Sequence, residues 1–142
     1  MKKKLLFALS VLALRVCALA ISVSAAEING VYYDLDAKNG VATVSKENKT
    51  STFEIAEIPS TFTHESVEYK VTKIENDAFA GNKTVKEIRI LSEYITKIPY
   101  GMIASTHGGA LEKIYINFSQ ITSYDSAALN PSTQTNGNSP VA

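Results

Sequence analysis

The chain has 142 residues, 14 of them basic and 14 acidic, and so carries no formal net charge at pH 7. That balance excludes the strongly basic footprint of a nucleic-acid binder, and a single cysteine excludes an intrachain disulfide framework. The length suits one domain with a single modest core.

Lys2, Lys3 and Lys4, the apolar run from Leu5 to Leu14, and small residues up to Ser24, Ala25 and Ala26 follow the basic, apolar and cleavage regions of a secretory signal peptide. Residues 1–26 are therefore expected to be removed on export, with cleavage after Ala26. Arg15 interrupts the apolar run, and a charge near the middle of a span costs about 2.5–3.5 kcal/mol, which favours removal over a signal anchor. Cys17 lies in this segment behind Arg15 and Val16, which are not the small residues that lipoprotein processing prefers. Removal takes four of the 14 basic residues and none of the 14 acidic ones, leaving a formal charge of −4 and no thiol. An acidic mature chain speaks against nucleic acid or an anionic membrane as partner. Membrane contact is expected only during export, and the destination is the medium or the cell surface.

Residues 27–68 read as an N-terminal antiparallel β cap. Val31 to Leu35 and Val41 to Val44 alternate as the arms of a hairpin, with Asn39-Gly40 supplying the positive φ that tight turns need. Ser45 to Ser51 is polar and reads as a loop. Phe53 to Ile58 is a further strand with Phe53 and Ile55 inward and Glu54 outward, stopped by Pro59.

Residues 69–130 contain a repeat. Val71-Thr72-Lys73-Ile74 returns 24 residues later as Ile95-Thr96-Lys97-Ile98, and Val85-Lys86-Glu87-Ile88-Arg89-Ile90 returns 26 residues later as Leu111-Glu112-Lys113-Ile114-Tyr115-Ile116. Two blocks recurring in the same order at nearly one shift mark a repeat architecture. In the second block Ile88 and Ile90 are expected to point into the core and Glu87 and Arg89 outward. Between the blocks, Asn76 to Gly81 reads as one helical turn: Asn76 is its N-cap, Phe79 plugs the space between layers, and Gly81 ends it in the left-handed region. In the second copy Pro99 opens the turn and Met102 or Ile103 replaces the phenylalanine. Ile121 to Leu129 is a degenerate third copy with Asp125 as N-cap, and residues 131–142 have too little to bury and should be disordered.

The spacing of the second block fits the pattern of a leucine-rich repeat. Tyr69 to Ile74, then Asn76-Asp77-Ala78-Phe79-Ala80-Gly81, then Ile88-Arg89-Ile90 resembles the BspA-type repeat of bacterial cell-surface proteins, and Gly30 to Tyr33 with Ile58-Pro59-Ser60 resembles the segment that precedes it there. The expected fold is α/β: a short leucine-rich repeat solenoid with one strand and one helical turn per repeat, behind the β cap. The resemblance implies cell-surface adhesion or protein binding, with a host extracellular protein or an envelope component as partner and a glycan as a further candidate. A structural or assembly role in the envelope, through the C-terminal edge, and a carbohydrate-binding module are the alternatives. The chain is expected to be a monomer with a weak tendency to pair through that edge.

Chemistry-bearing groups are sparse. His64 and His107 stand far apart in polar, loop-like settings without metal-ligand neighbours, and His107-Gly108-Gly109 lacks the nucleophile elbow that an oxyanion hole would accompany. Asp34 and Asp36 share one face of a strand but lack a calcium-loop pattern. Asn48, Asn82 and Asn117 head glycosylation-type triplets that read as coincidence. No enzyme, cofactor or metal is therefore expected. The candidate contact face is the outer side of the repeat strands, where parallel stacking would set Glu87 beside Lys113, Arg89 beside Tyr115 and Leu91 beside Asn117. Tyrosine and arginine are enriched at interfaces because each buries a large surface while still offering hydrogen bonds.

Overall fold

A computed structural model describes residues 23–104, 111–117, 119–125 and 127–129. β1 (Val23–Ile28) and β2 (Val31–Asp36) pair antiparallel around Asn29 and Gly30, which both take positive φ (50° and 86°). A turn of that hand matches the twist of the strands it joins. β2 pairs antiparallel with β3 (Val41–Val44), as its alternation predicts, and Gly40 takes a φ of 62° ahead of β3. β5 (Thr61–His64) and β6 (Val67–Ile74) form a third hairpin turned by Glu65 and Ser66, at φ 48° and 66°. β3 and β6 pair in parallel, so this sheet is mixed and runs β1-β2-β3-β6-β5.

The repeated blocks lie side by side. β4 (Ile55–Ile58), β7 (Glu87–Ile90) and β9 (Lys113–Ile116) form a parallel sheet in which Ala56, Ile88 and Ile114 make one inward row and Ile58, Ile90 and Ile116 the next. β8 (Lys97–Ile98) and β10 (Ser123–Tyr124) pair in parallel on the other side. The turns between them are stitched across: the amides of Asp77, Phe79 and Gly81 donate to the carbonyls of Tyr100, Met102 and Ala104.

The expectation of an α/β fold is overturned: the described residues are almost all β and contain no α-helix. Asn76 to Gly81 is a turn because Asp77 sits at a φ of 58°, outside right-handed helical space, and the amides of Asp77, Phe79 and Gly81 bond across to the next turn while the Ala80 amide bonds back to the Asp77 carbonyl. Gly81 is left-handed as expected, at 71°. Among the described residues the one helical element is a short 3-10 helix, Lys46–Thr50, in the stretch that reads as a loop. Its N-cap Ser45 accepts from the Glu47 amide.

The antiparallel β cap is also corrected, since β3 and β4 pair in parallel with β6 and β7 and continue the repeated layers instead of closing them off. Ile55 points outward and is 46% exposed, while Ala56 and Ile58 fill the interior. The strand begins at Ile55, after a bend at Glu54, so the inward parity set by Phe53 does not carry into it. β1 spans the expected cleavage point at Ala26, a residue buried in the core. Residues 1–22 and the tail from residue 130 lie outside the described residues.

Phe79 is fully buried and meets Phe53 edge-on at 6.4 Å, and Met102 and Ile103 occupy the same layer position in the second copy. Tyr33 is fully buried between strands against Phe62 at 4.9 Å, and burial pushes its hydroxyl well above the ordinary tyrosine range. Asp77, Gly101 and Ala127 recur at the same turn position with φ near one value, 58°, 62° and 59°. A Cβ at Gly101 would overlap the Asp77 carboxylate. Gly101→Ala is thus expected to cost about 1–3 kcal/mol. Urea titration should show part of that loss restored in an Asp77→Ala background, because only the backbone cost then remains.

Candidate functional site

The outer face of the β4-β7-β9 sheet is set by strand alternation. With Ala56, Ile88 and Ile114 inward, the residues on either side must face solvent. They form two cross-strand rows, Ile55-Glu87-Lys113 and Glu57-Arg89-Tyr115. The neighbours expected from the repeat are therefore in register: Glu87 with Lys113 and Arg89 with Tyr115. Pairing ends at Ile90 and Ile116, and Leu91 and Asn117 follow as exposed residues.

Arg89 is the centre of this face. Its Nε donates to Glu87, its Nη1 reaches Glu57 at 3.4 Å, and its guanidinium lies 6.0 Å from the Tyr115 ring centroid. The hydrogen bond and charge of Glu87 hold its pKa above the ordinary arginine value, with Glu57 adding to the effect. A guanidinium held by two carboxylates and an aromatic ring is oriented before any partner arrives, which lowers the ordering cost of an association. Around it stand exposed apolar surfaces: Tyr115 and Leu91 at 50% and Ile55 at 46%.

Glu57 and Ile55 belong to this face, yet the repeat comparison could not supply them. β4 carries no copy of the repeated block, and only its pairing with β7 brings it there. Glu54 precedes the face and pairs with Lys86 at 2.8 Å. The Glu54 hydrogen bond and charge raise the Lys86 pKa, and Glu112 adds a smaller contribution of the same sign.

The other sequence candidates disperse. His64 lies in β5, half-buried, rather than in a loop. His107, Gly108 and Gly109 lie outside the described residues. Asp36 spends both oxygens on Asn39, accepting from its amide at 3.1 Å and its side-chain nitrogen at 2.6 Å, and these bonds hold its pKa down. Asp34 is shifted the other way, by burial first and then by Glu75. Among the described residues no group of three His, Cys, Asp or Glu side chains could hold a metal ion, and no helix is long and apolar enough to cross a membrane.

Asn48 and Asn82, read from sequence as the heads of chance triplets, are buried structural groups. The Asn48 side chain accepts from the Tyr32 amide and donates to the Tyr32 and Ser45 carbonyls. The Asn82 side chain donates to the carbonyls of Asn48 and Ser51 and accepts from the amides of Thr84 and Val85. Asn82 directly follows the turn over residues 76–81 and Asn48 lies within the 3-10 helix, so the two triplets share no local setting that sequence could have flagged.

No protein-family model, curated protein or solved structure matches the chain.

Proposed function

We propose that this protein is an exported, non-catalytic binding module displayed at or released from the cell surface, and that the outer face of β4, β7 and β9 takes a protein partner. The observation that carries the reading is the gathering of exposed Tyr115, Leu91 and Ile55 around a pre-oriented Arg89 on one strand face. Interface hot spots draw on this chemistry, a large aromatic contact beside an arginine. The resemblance of the repeat blocks to BspA-type surface proteins supports adhesion as the setting, with a host extracellular protein or an envelope component as partner.

A double variant, Arg89→Ala with Tyr115→Ala, tests the face. Both side chains are partly exposed, and surface pairs of this kind contribute about 0–1 kcal/mol, so the fold should survive. In a pull-down with the full chain against host extracellular proteins and envelope extract, the wild type should retain a protein that the double variant loses. Equal capture by both would remove the face from the mechanism, and capture of a glycan alone on an array would replace the protein partner.

A further inference from the structure

The backbone bonding of the parallel sheet repeats from strand to strand. The amides of Lys86 and Glu87 both donate to the Glu54 carbonyl, and those of Glu112 and Lys113 both donate to the Lys86 carbonyl. Glu112 O is next in that series, on the outer edge of β9, where no described strand pairs.

Burial changes at the same place. Val85, Ile88, Ile90 and Ile95 are 0–1% exposed, whereas their repeat counterparts Leu111, Ile114, Ile116 and Ile121 are only partly buried. The last apolar layer has the composition of a covered layer, and no described strand covers it.

Charge along the rows identifies the cover. Reading across the strands, Glu54, Lys86 and Glu112 alternate in sign, with the first pair closed at 2.8 Å. The next row runs Ile55, Glu87, Lys113. A strand added in the same parallel register would complete both rows with a basic residue beside Glu112 and an acidic one beside Lys113, and would cover Ile114 and Ile116 with aliphatic side chains. A second copy does not fit as well. Its free β4 edge would bring Glu54 against Glu112, two like charges, and a two-fold pairing of β9 edges centred on Tyr115 sets Lys113 opposite Asn117 and leaves both charges uncomplemented.

We infer that the β9 edge is a β-augmentation site for an extended peptide reading basic-acidic-aliphatic-any-aliphatic, laid parallel to Lys113–Ile116. Main-chain bonds supply the affinity and the alternating side chains the register. This edge adjoins the sheet face proposed above and shares Lys113 with it, but main-chain pairing at the edge does not require a partner on the face. The pattern is met by this chain's own Lys86-Glu87-Ile88-Arg89-Ile90, which already satisfies it against β9 from the opposite side.

The probe is a synthetic peptide of residues Thr84 to Ser92, added to the isotope-labelled full chain and followed by amide chemical shifts and by fluorescence anisotropy. Saturable binding is expected, with the shifts concentrated at residues 111–117. A peptide with its lysine and glutamate exchanged should bind about fivefold more weakly, the scale of two exposed cross-strand charge pairs turned repulsive. The double variant Glu112→Lys, Lys113→Glu should reverse that preference. The inference is overturned by an absence of saturable binding, by equal affinity for the two peptides, by shifts mapping to β4 instead, or by self-association of the unmixed protein through β9 that the peptide does not compete away.

Discussion

Replacing Phe79 by alanine is expected to remove about 3–5 kcal/mol of stability, the usual cost of excavating a buried aromatic ring. The ring is fully buried, meets Phe53 edge-on, and occupies the layer between β6 and β7. Net stabilities of small domains run about 5–15 kcal/mol, so the variant should lie close to the unfolding threshold. Each kcal/mol lost moves the midpoint by roughly 3–6 °C in a domain of this size, and thermal melts followed by circular dichroism will read the change directly. Phe79→Leu, which retains most of the volume, should recover much of the loss. Equal melts for wild type and Phe79→Ala would mean that the turn does not pack into the core at all.

Asn82→Ala should be nearly as damaging for a different reason. Asn82 is 1% exposed, and its amide group serves four backbone partners: the carbonyls of Asn48 and Ser51 and the amides of Thr84 and Val85. Alanine removes all four bonds at once. A buried polar group left without a partner costs about 1–3 kcal/mol, so a loss of about 2–4 kcal/mol is expected after local relaxation admits some water. Asn82→Asp separates the two halves of the network, because the carboxylate still accepts from Thr84 and Val85 but faces the two carbonyls without a donor. Urea titration should place the Asp variant below wild type. A midpoint equal to wild type for either variant would show that the donor half contributes nothing.

These two residues also mark how far reading the chain goes. Phe79 was legible as the interlayer plug, because a lone phenylalanine flanked by alanines between two repeated apolar blocks has nowhere else to go. Asn82 was not, because an asparagine after a turn looks the same in sequence whether it faces water or the core. Its partners Asn48 and Ser51 are more than thirty positions away and belong to the preceding layer. The candidate face divides in the same manner. Glu87, Arg89, Lys113 and Tyr115 follow from the repeat and from strand alternation, and their pairing Glu87 to Lys113 and Arg89 to Tyr115 is in register. Glu57 and Ile55 reach the face only through the parallel pairing of β4 with β7.

The repeated blocks, the inward and outward faces of β7 and β9, the hairpin of β2 with β3, and the layer role of Phe79 with Met102 and Ile103 are all written in the chain. All of these depend on local periodicity or on one stretch copying another, which is information carried along the chain. That the turns are not helical, that β3 and β4 extend the repeated layers in parallel, and that Ile55 faces out emerge on folding alone. Those outcomes turn on which distant carbonyl each amide finds. Asp77, Phe79 and Gly81 bond across to Tyr100, Met102 and Ala104, and a left-handed Asp77 is tolerated because that cross-turn bonding holds it.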